Sequence, residues 1–221
     1  MILTVTGGKG GVGKSTVAYN LGAELDGVVV DGDLAMADLP ERRGPDLHDV
    51  LAGRAAPMAA VDESGPVTLV PCGRTLAGAR ASDPATLTDV LETLDRTYRW
   101  VIVDSPAGLQ ADVGLPLSVA DAALVVTVPD RAALADALRV RALARELDTG
   151  LCRVVLNRVR DAHRTEALAD QFGAPVVTVP ESDRLATAHR HGRPVGQIAP
   201  ESPAADAFET LATAAYGCRS L

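Results

Sequence analysis

Short apolar runs alternate with longer amphipathic segments along the chain. Several of the apolar runs are continuous, such as Val101-Ile102-Val103, and this pattern is typical of strands covered on both faces. The runs predict strands at Ile2–Thr6, Val28–Asp31, Val67–Pro71, Trp100–Asp104, Ala122–Val128, Cys152–Asn157 and Val176–Pro180. The segments between and after them predict helices at Lys14–Leu25, Ala85–Thr97, Ala132–Leu147, Arg164–Gln171, Asp183–His191 and Ala204–Tyr216.

This alternation predicts an α/β fold with a mostly parallel, doubly wound sheet and helices on both faces, because parallel strands need crossover connections. No internal repeat or long linker divides the sequence, so we expect residues 1–221 to form a single domain. Such sheets bind their ligands outside the carboxyl ends of the strands. Polar residues that follow the predicted strands are therefore the candidates for function.

A glycine-rich segment separates the first predicted strand from the first predicted helix. From Gly8 through Lys14 to Ser15 it fits the phosphate-loop pattern G-x-x-x-x-G-K-[ST]. Glycines let backbone N–H groups curl around phosphate oxygens, the next helix presents its positive end, and lysine adds a compact charge. The segment predicts a P-loop NTPase whose nucleotide contacts Gly8, Lys9, Gly10, Gly11, Val12, Gly13, Lys14, Ser15 and Thr16.

Lysine usage singles out a second position in this segment. The chain has 21 basic residues, but its two lysines are Lys9 and Lys14 alone. The string from Lys9 to Thr16 resembles the deviant phosphate loop of the MinD/ParA family of ATPases. The resemblance implies ATP as the nucleotide and an ATP-dependent homodimer, in which Lys9 reaches the partner's phosphates. Lys9 and Lys14 are then both expected to serve catalysis.

Three aspartates end predicted strands at the same edge of the sheet. Asp104 closes an apolar run as in a Walker-B strand, whose carboxylate meets the water shell of Mg²⁺. The sequence Asp104-Ser-Pro-Ala-Gly resembles the second switch of the family, and Asp31-Gly-Asp33 resembles the first. The resemblance implies that Asp33 orients or activates the attacking water and that Ser15, Asp31 and Asp104 serve Mg²⁺. Asp38 fits the first switch more loosely.

Two further strand ends are candidates for the base site. Asn157-Arg158 resembles the purine-contacting pair of the family, and Pro180-Glu181 begins a segment that resembles its adenine-closing loop. A simple turn at either place, with Asp183 as a helix cap, is the alternative.

Composition and cysteine content predict the type of core, the surface charge and the compartment of the protein. A hydrophobic content of 47% with 3% aromatic residues predicts a core of Ala, Val and Leu, and the net charge of −8 disfavours general attraction to nucleic acid or anionic lipid. No C-x-x-C pair is present, so the cysteines carry no local signature of metal or iron–sulfur ligation, and we expect buried thiols at Cys72 and Cys152. Without a signal peptide or an apolar run of roughly eighteen residues, we expect a cytoplasmic protein.

Two functions remain open within the resemblance. One is a MinD-like switch whose ATP dimer engages an activating or cargo protein. The other is a ParA-like DNA-partition ATPase, suggested by a local excess of arginine, although interspersed acidic residues favour a solvated face over DNA binding. These arginines are Arg139, Arg141, Arg145, Arg153, Arg158, Arg160 and Arg164. An iron–sulfur carrier lacks its cysteine pairs, and a non-hydrolysing scaffold conflicts with intact Asp33 and Asp104.

The last predicted helix departs from MinD proper. The helix carries acidic Asp206 and Glu209 beside an apolar stripe of Phe208, Leu211, Ala212 and Ala215. Membrane-surface helices carry basic residues on the polar face, so we expect this helix to pack on the domain rather than bind a membrane directly.

Overall fold

Seven parallel strands form a single sheet in the computed structural model, which describes residues 1–34, 39–40, 43–73, 75–108, 111–161 and 165–218, with the backbone alone for 111–113. The strands are β1 (Ile2–Thr6), β2 (Val28–Asp31), β3 (Leu69–Val70), β4 (Val101–Asp104), β5 (Ala122–Thr127), β6 (Gly150–Val159) and β7 (Val176–Pro180). Their order is β3-β2-β4-β1-β5-β6-β7, and every neighbouring pair is parallel. The predicted strands are therefore confirmed, with β3 shorter and β6 longer than expected.

Ten α-helices occur in the described ranges of the chain. They are α1 (Lys14–Glu24), α2 (Leu47–Leu51), α3 (Leu76–Ala81), α4 (Leu87–Asp95), α5 (Ala111–Ser118), α6 (Arg131–Glu146), α7 (Glu166–Phe172), α8 (Asp183–Arg190), α9 (Val195–Ile198) and α10 (Pro203–Cys218). Short 3-10 helices cover Pro57–Ala60 and Pro84–Thr86. The six predicted helices are confirmed within a few residues, whereas the sequence did not predict α2, α3, α5 and α9.

Alternate residues of each strand enter two different cores. Leu3 and Val5 of β1 lie in a core with residues of α1, α8 and α10, while Ile2 packs in another core with residues of α2 and α4. Further along the sheet, Val125 and Val154 pack with α6 and α7. Both faces of the sheet are thus covered by helices, which explains why the strands read as continuous apolar runs.

The strand order reverses direction around β1. The chain passes from β1 to β2 and β3 on one side, whereas β5, β6 and β7 continue on the other. Doubly wound sheets bind ligands at such a switch point, outside the carboxyl ends of the strands. The segment that follows β1 at this edge is the glycine-rich loop.

The C-terminal helix α10 is docked on this framework. Its side chains Phe208 and Leu211 are fully buried, and Tyr216 packs edge-to-face on Trp100 at 5.2 Å between ring centroids. A disulfide joins Cys218 of α10 to Cys152 of β6. The expected free thiol at Cys152 is therefore wrong, because α10 returns along the sheet and brings a cysteine 66 positions away within bonding distance. Cys72 remains a buried thiol, as expected.

Candidate functional site

The phosphate loop joins the end of β1 to the start of α1. Gly13 closes it with a φ of 98°, in the left-handed region that favours glycine, and a Cβ there would lie 2.3 Å from Asn157 Nδ2. In the described structure no side chain caps α1 at Gly13, and the first turn of the helix carries no acidic residue. The first N–H groups of α1 are therefore available to an anion, as phosphate binding requires.

The two lysines of the loop occupy different environments. Lys14 is 8% exposed, so its charge is held close to the loop and helix start. Lys9 has a side chain that is 53% exposed, and its Nζ lies 3.7 Å from Asp130 Oδ1, the N-cap carboxylate of α6. An exposed ion pair of this length contributes little to stability, so Lys9 can leave Asp130 at small cost.

Two carboxylates are buried side by side where β2 and β4 end. Asp31 and Asp104 are register partners on adjacent strands, and each is 1% exposed. Burial, with the charge of Asp104 second, raises the pKa of Asp31 to about 8, although backbone hydrogen bonds from Asp33 and Leu39 oppose the shift. Asp31 Oδ1 has no hydrogen-bond partner among the described residues. A cation that prefers oxygen ligands would offset the repulsion between these two buried carboxylates. Mg²⁺ is such a cation, bound directly or through its waters.

The candidate switch loops begin next to this pair. Asp33 is partly exposed two residues beyond Asp31, and the Gly32 N–H donates to Asp104 O at 2.9 Å, which ties the two strand ends together. A Cβ built on Gly10 would lie 4.0 Å from Ala107 Cβ, so the phosphate loop approaches the second-switch segment. Asp38 lies outside the described residues, as does Arg164 of the predicted arginine cluster.

The predicted base-site residues line one cavity of about 400 Å³. Asn157 and Arg158 come from the end of β6, and Pro180 and Glu181 come from the end of β7. Thr16 lines the same cavity from α1, so the cavity opens beside the phosphate loop. Arg160 forms an ion pair with Glu181 and holds the pKa of that exposed carboxyl below its usual range. The structure therefore brings the two predicted base-site pairs together.

Asn157 also braces the phosphate loop. Its Nδ2 donates to Val12 O at 2.8 Å, and its Oδ1 accepts from Arg158 N at 2.9 Å. Asn157 is 4% exposed, and Arg158 adopts a φ of 56°, which is uncommon for a residue with a side chain. The amide thus links the base cavity to the phosphate loop.

Two residues of this cavity were not predicted. His189 and Arg190 line it from α8, and they also line a neighbouring cavity of about 630 Å³ that reaches Pro40. His189 and Arg190 lie one helical turn beyond the predicted loop, on the same face of α8. This helical spacing could have indicated both residues from the sequence. The helix cap is Ser182, which accepts from Leu185 N, so the alternative that placed the cap at Asp183 is wrong. Asp183 instead begins the helix, where its charge suits the positive end.

No helix within the described ranges is long and apolar enough to cross a membrane. Those ranges also contain no cluster of three or more His, Cys, Asp or Glu residues with metal-binding geometry.

The comparisons with known proteins indicate a nucleotide-binding domain. Residues 3–195 match the family model described as the CobQ/CobB/MinD/ParA nucleotide binding domain. An uncharacterized ATP-binding protein of Methanocaldococcus jannaschii is 34% identical over 98% of this chain and 88% of its own.

Two solved structures share the fold closely. The cell division ATPase MinD of Pyrococcus furiosus superposes with a TM-score of 0.90 and 31% identity, over 97% of this chain and 98% of that one. The septum site-determining protein MinD of Pyrococcus horikoshii was solved with Mg-ADP. It superposes with a TM-score of 0.88 and 30% identity, over 95% of this chain and 93% of that one. The chain therefore belongs to the CobQ/CobB/MinD/ParA nucleotide-binding family and is a MinD/ParA-family ATPase.

Proposed function

We propose that this protein is a MinD-like switch in which ATP closes a homodimer and hydrolysis reopens it. The cofactors are ATP and Mg²⁺. The closed dimer presents a surface to an activating or cargo protein, and residues 1–221 work as one ATPase domain in the cytoplasm. The similarity to two archaeal MinD proteins over nearly the whole chain supports the MinD-like assignment.

Within the site, each residue has a proposed role. Lys14 and the loop N–H groups bind the phosphates, and Ser15, Asp31 and Asp104 hold Mg²⁺ directly or through water. Asp33 orients or activates the attacking water. The base occupies the cavity beside Thr16, between Asn157-Arg158 and Pro180-Glu181.

The observation that carries the dimer proposal is the exposure of Lys9. Lys14 already provides a buried charge at the phosphates, whereas Lys9 stands half exposed on the outer side of the same loop. Among the described residues, Asp130 provides the carboxylate within ion-pair distance of Lys9 Nζ, in a weak exposed pair. A lysine in this position can therefore exchange Asp130 for the phosphates of a second copy.

The test compares Lys9→Ala with Asp130→Asn. We expect Lys9→Ala to bind a fluorescent ATP analogue within about threefold of the unmodified affinity, since Lys14 is intact, but to lose hydrolysis and the ATP-induced dimer. Asp130→Asn keeps an N-cap acceptor and removes the competing charge, so its dimer should form normally. A full ATP-dependent dimer of Lys9→Ala in light scattering would refute the proposed role.

The ParA-like alternative rests on the arginine cluster, and at least three of its seven members contact acidic or carbonyl oxygens of the same chain. Arg139 pairs with Asp136, Arg160 pairs with Glu181, and Arg141 donates to Phe172 O at 2.9 Å. The paired carboxylates reduce the net positive charge that Arg139 and Arg160 would present to DNA phosphates, which favours the MinD-like proposal.

A further inference from the structure

A buried histidine and a buried cysteine lie behind the loop that follows β2. His48 of α2 is 4% exposed, and Cys72, just after β3, is 1% exposed. Neither residue lines the base cavity or the phosphate loop. His48 Nε2 lies 3.1 Å from Leu34 O, and Cys72 Sγ lies 3.1 Å from Asp33 O. Buried side chains therefore contact two consecutive carbonyls of the first-switch loop, those of Asp33 and Leu34.

Both side chains act as donors in these contacts. A carbonyl oxygen can only accept, so the Leu34 contact assigns the proton to His48 Nε2. The other ring nitrogen, Nδ1, has no hydrogen-bond partner among the described residues. Burial and the carboxylates of Asp31 and Asp33 raise the pKa of the Cys72 thiol, so it keeps its S–H. The two groups also lie together, with Sγ 3.5 Å from Nε2.

The space around the imidazole is shaped for it. A Cβ on Gly73 would lie 2.2 Å from His48 Nδ1, and the φ of Gly73 is +147°. A Cβ on Gly78 would lie 3.1 Å from the same atom. The His48 N–H donates to Cys72 O at 2.9 Å, which fixes the two residues relative to each other. Larger side chains at these glycines would push the ring away from Leu34.

We propose that His48 and Cys72 are positioning residues for ATP hydrolysis, which hold the backbone of Asp33 and Leu34 and thereby aim the Asp33 carboxylate. The inference rests on the proposed role of Asp33 in orienting water. β2 ends at Asp31, so Asp33 lies beyond the sheet ladder, and His48 and Cys72 contact the carbonyls of Leu34 and Asp33 at this point. Small displacements of a group that orients a reactant reduce rate far more than binding.

The experiment measures single-turnover hydrolysis and the affinity for a non-hydrolysable ATP analogue in four variants. We expect His48→Ala to slow hydrolysis about tenfold and Cys72→Ala about fivefold, with affinities within about twofold, as for loss of one hydrogen bond each. His48→Gln can return an N–H near the Nε2 position and Cys72→Ser returns a donor, so both should recover part of the rate. Cys72→Ala decides the question if His48→Ala does not fold.

Two controls separate positioning from general destabilisation. Val140→Ala removes buried volume from a different core, on α6, and should leave the rate unchanged while lowering stability. In an Asp33→Ala background, His48→Ala should produce no further loss of the residual rate, because it acts through Asp33.

The outcomes distinguish the two levels of the argument. Full hydrolysis by Asp33→Ala would overturn the role of Asp33 and with it the basis of this inference. Impaired Asp33→Ala together with unimpaired His48→Ala and Cys72→Ala would overturn the inference alone. An equal rate loss in Val140→Ala would also overturn it, since the effect would then follow stability rather than position.

Discussion

At the residue scale, Lys14 and Asp33 should affect different steps. Lys14 is a buried cation at the phosphate loop, so Lys14→Ala should weaken ATP binding by about ten- to a hundredfold, as for loss of hydrogen bonds to a charged group. Asp33→Ala should bind Mg-ATP normally and lower the hydrolysis rate by about a hundredfold or more, as for loss of a general base. Equilibrium binding and single-turnover kinetics measure the two effects separately.

The Asp33 variant carries a second expectation. Because only water orientation is lost, the ATP-bound dimer should accumulate and persist in light scattering. Unchanged turnover in Asp33→Ala would show that another carboxylate orients the water.

The buried pair of carboxylates makes a prediction about pH. The pKa of Asp31 is about 8 in the folded chain without metal and lies near its ordinary value of 3.8 when unfolded. Between these values the folded state binds a proton that the unfolded state does not, so stability should fall as pH rises. The slope is at most about 1.4 kcal/mol per pH unit. Urea unfolding in EDTA at pH 5, 6.5 and 8 measures it.

Asp31→Asn is the matched control, because an amide of similar shape does not ionise. Its unfolding free energy should lose most of this slope. Mg-ADP should restore stability of the unmodified protein at pH 8, where the carboxylates are charged and can meet the cation. A flat profile in the unmodified protein would mean that Asp31 is already ionised at pH 5.

Sequence spacing was enough to place the phosphate loop and the strand-end aspartates, because each lies within a few residues of a strand end. It could not indicate contacts made across the fold. The bond from Asn157 to Val12 O joins residues 145 positions apart, and His189 enters the base cavity only through the packing of α8. The ion pair of Lys9 with Asp130 likewise depends on how the start of α6 lies beside the phosphate loop.

At the scale of elements, α10 should contribute to stability. Phe208 is fully buried, so Phe208→Ala should lower the unfolding free energy by about 3–5 kcal/mol. Thr213→Ala, on the exposed side of the same helix, should change it by less than about 0.5 kcal/mol. Chemical denaturation of the two variants measures the difference. A membrane-targeting helix would instead tolerate Phe208→Ala in solution and lose liposome binding.

The sequence predicted helices correctly where the amphipathic segment is long, and it missed helices that are only a few residues long. Helices α4 and α6, with 9 and 16 residues, are long enough to show an apolar stripe, whereas α2 and α9 have five and four residues. The start of α2 does carry a local signal, a capping box between Asp46 and Asp49. The search for apolar periodicity did not use this signal. The disulfide between Cys152 and Cys218 depends on α10 docking beside β6, and no local sequence pattern predicts that docking.

At the scale of the whole molecule, charge decides which surfaces the protein can approach. The net charge is −8, and a homodimer doubles it. Arg139 and Arg160 are neutralised by acidic neighbours, and the polar face of α10 carries Asp206 and Glu209. Long-range attraction to DNA or anionic lipid is therefore weak, and partner proteins remain as the surfaces on which the ATP dimer could act.

This leads to a prediction for sedimentation with ATP. We expect the protein to stay in the supernatant with vesicles containing anionic phospholipid and with plasmid DNA, at low and at physiological salt, because a net charge of −8 per chain repels both polyanions. Lys9→Ala, which should not dimerise, controls for effects of the dimer. ATP-dependent pelleting with DNA would favour the ParA-like alternative, and pelleting with vesicles would identify a switch that cycles on membranes. If the protein pellets with neither, the search moves to protein partners, and affinity capture by the stable Asp33→Ala dimer, with Lys9→Ala as the comparison, becomes the direct approach to the cargo.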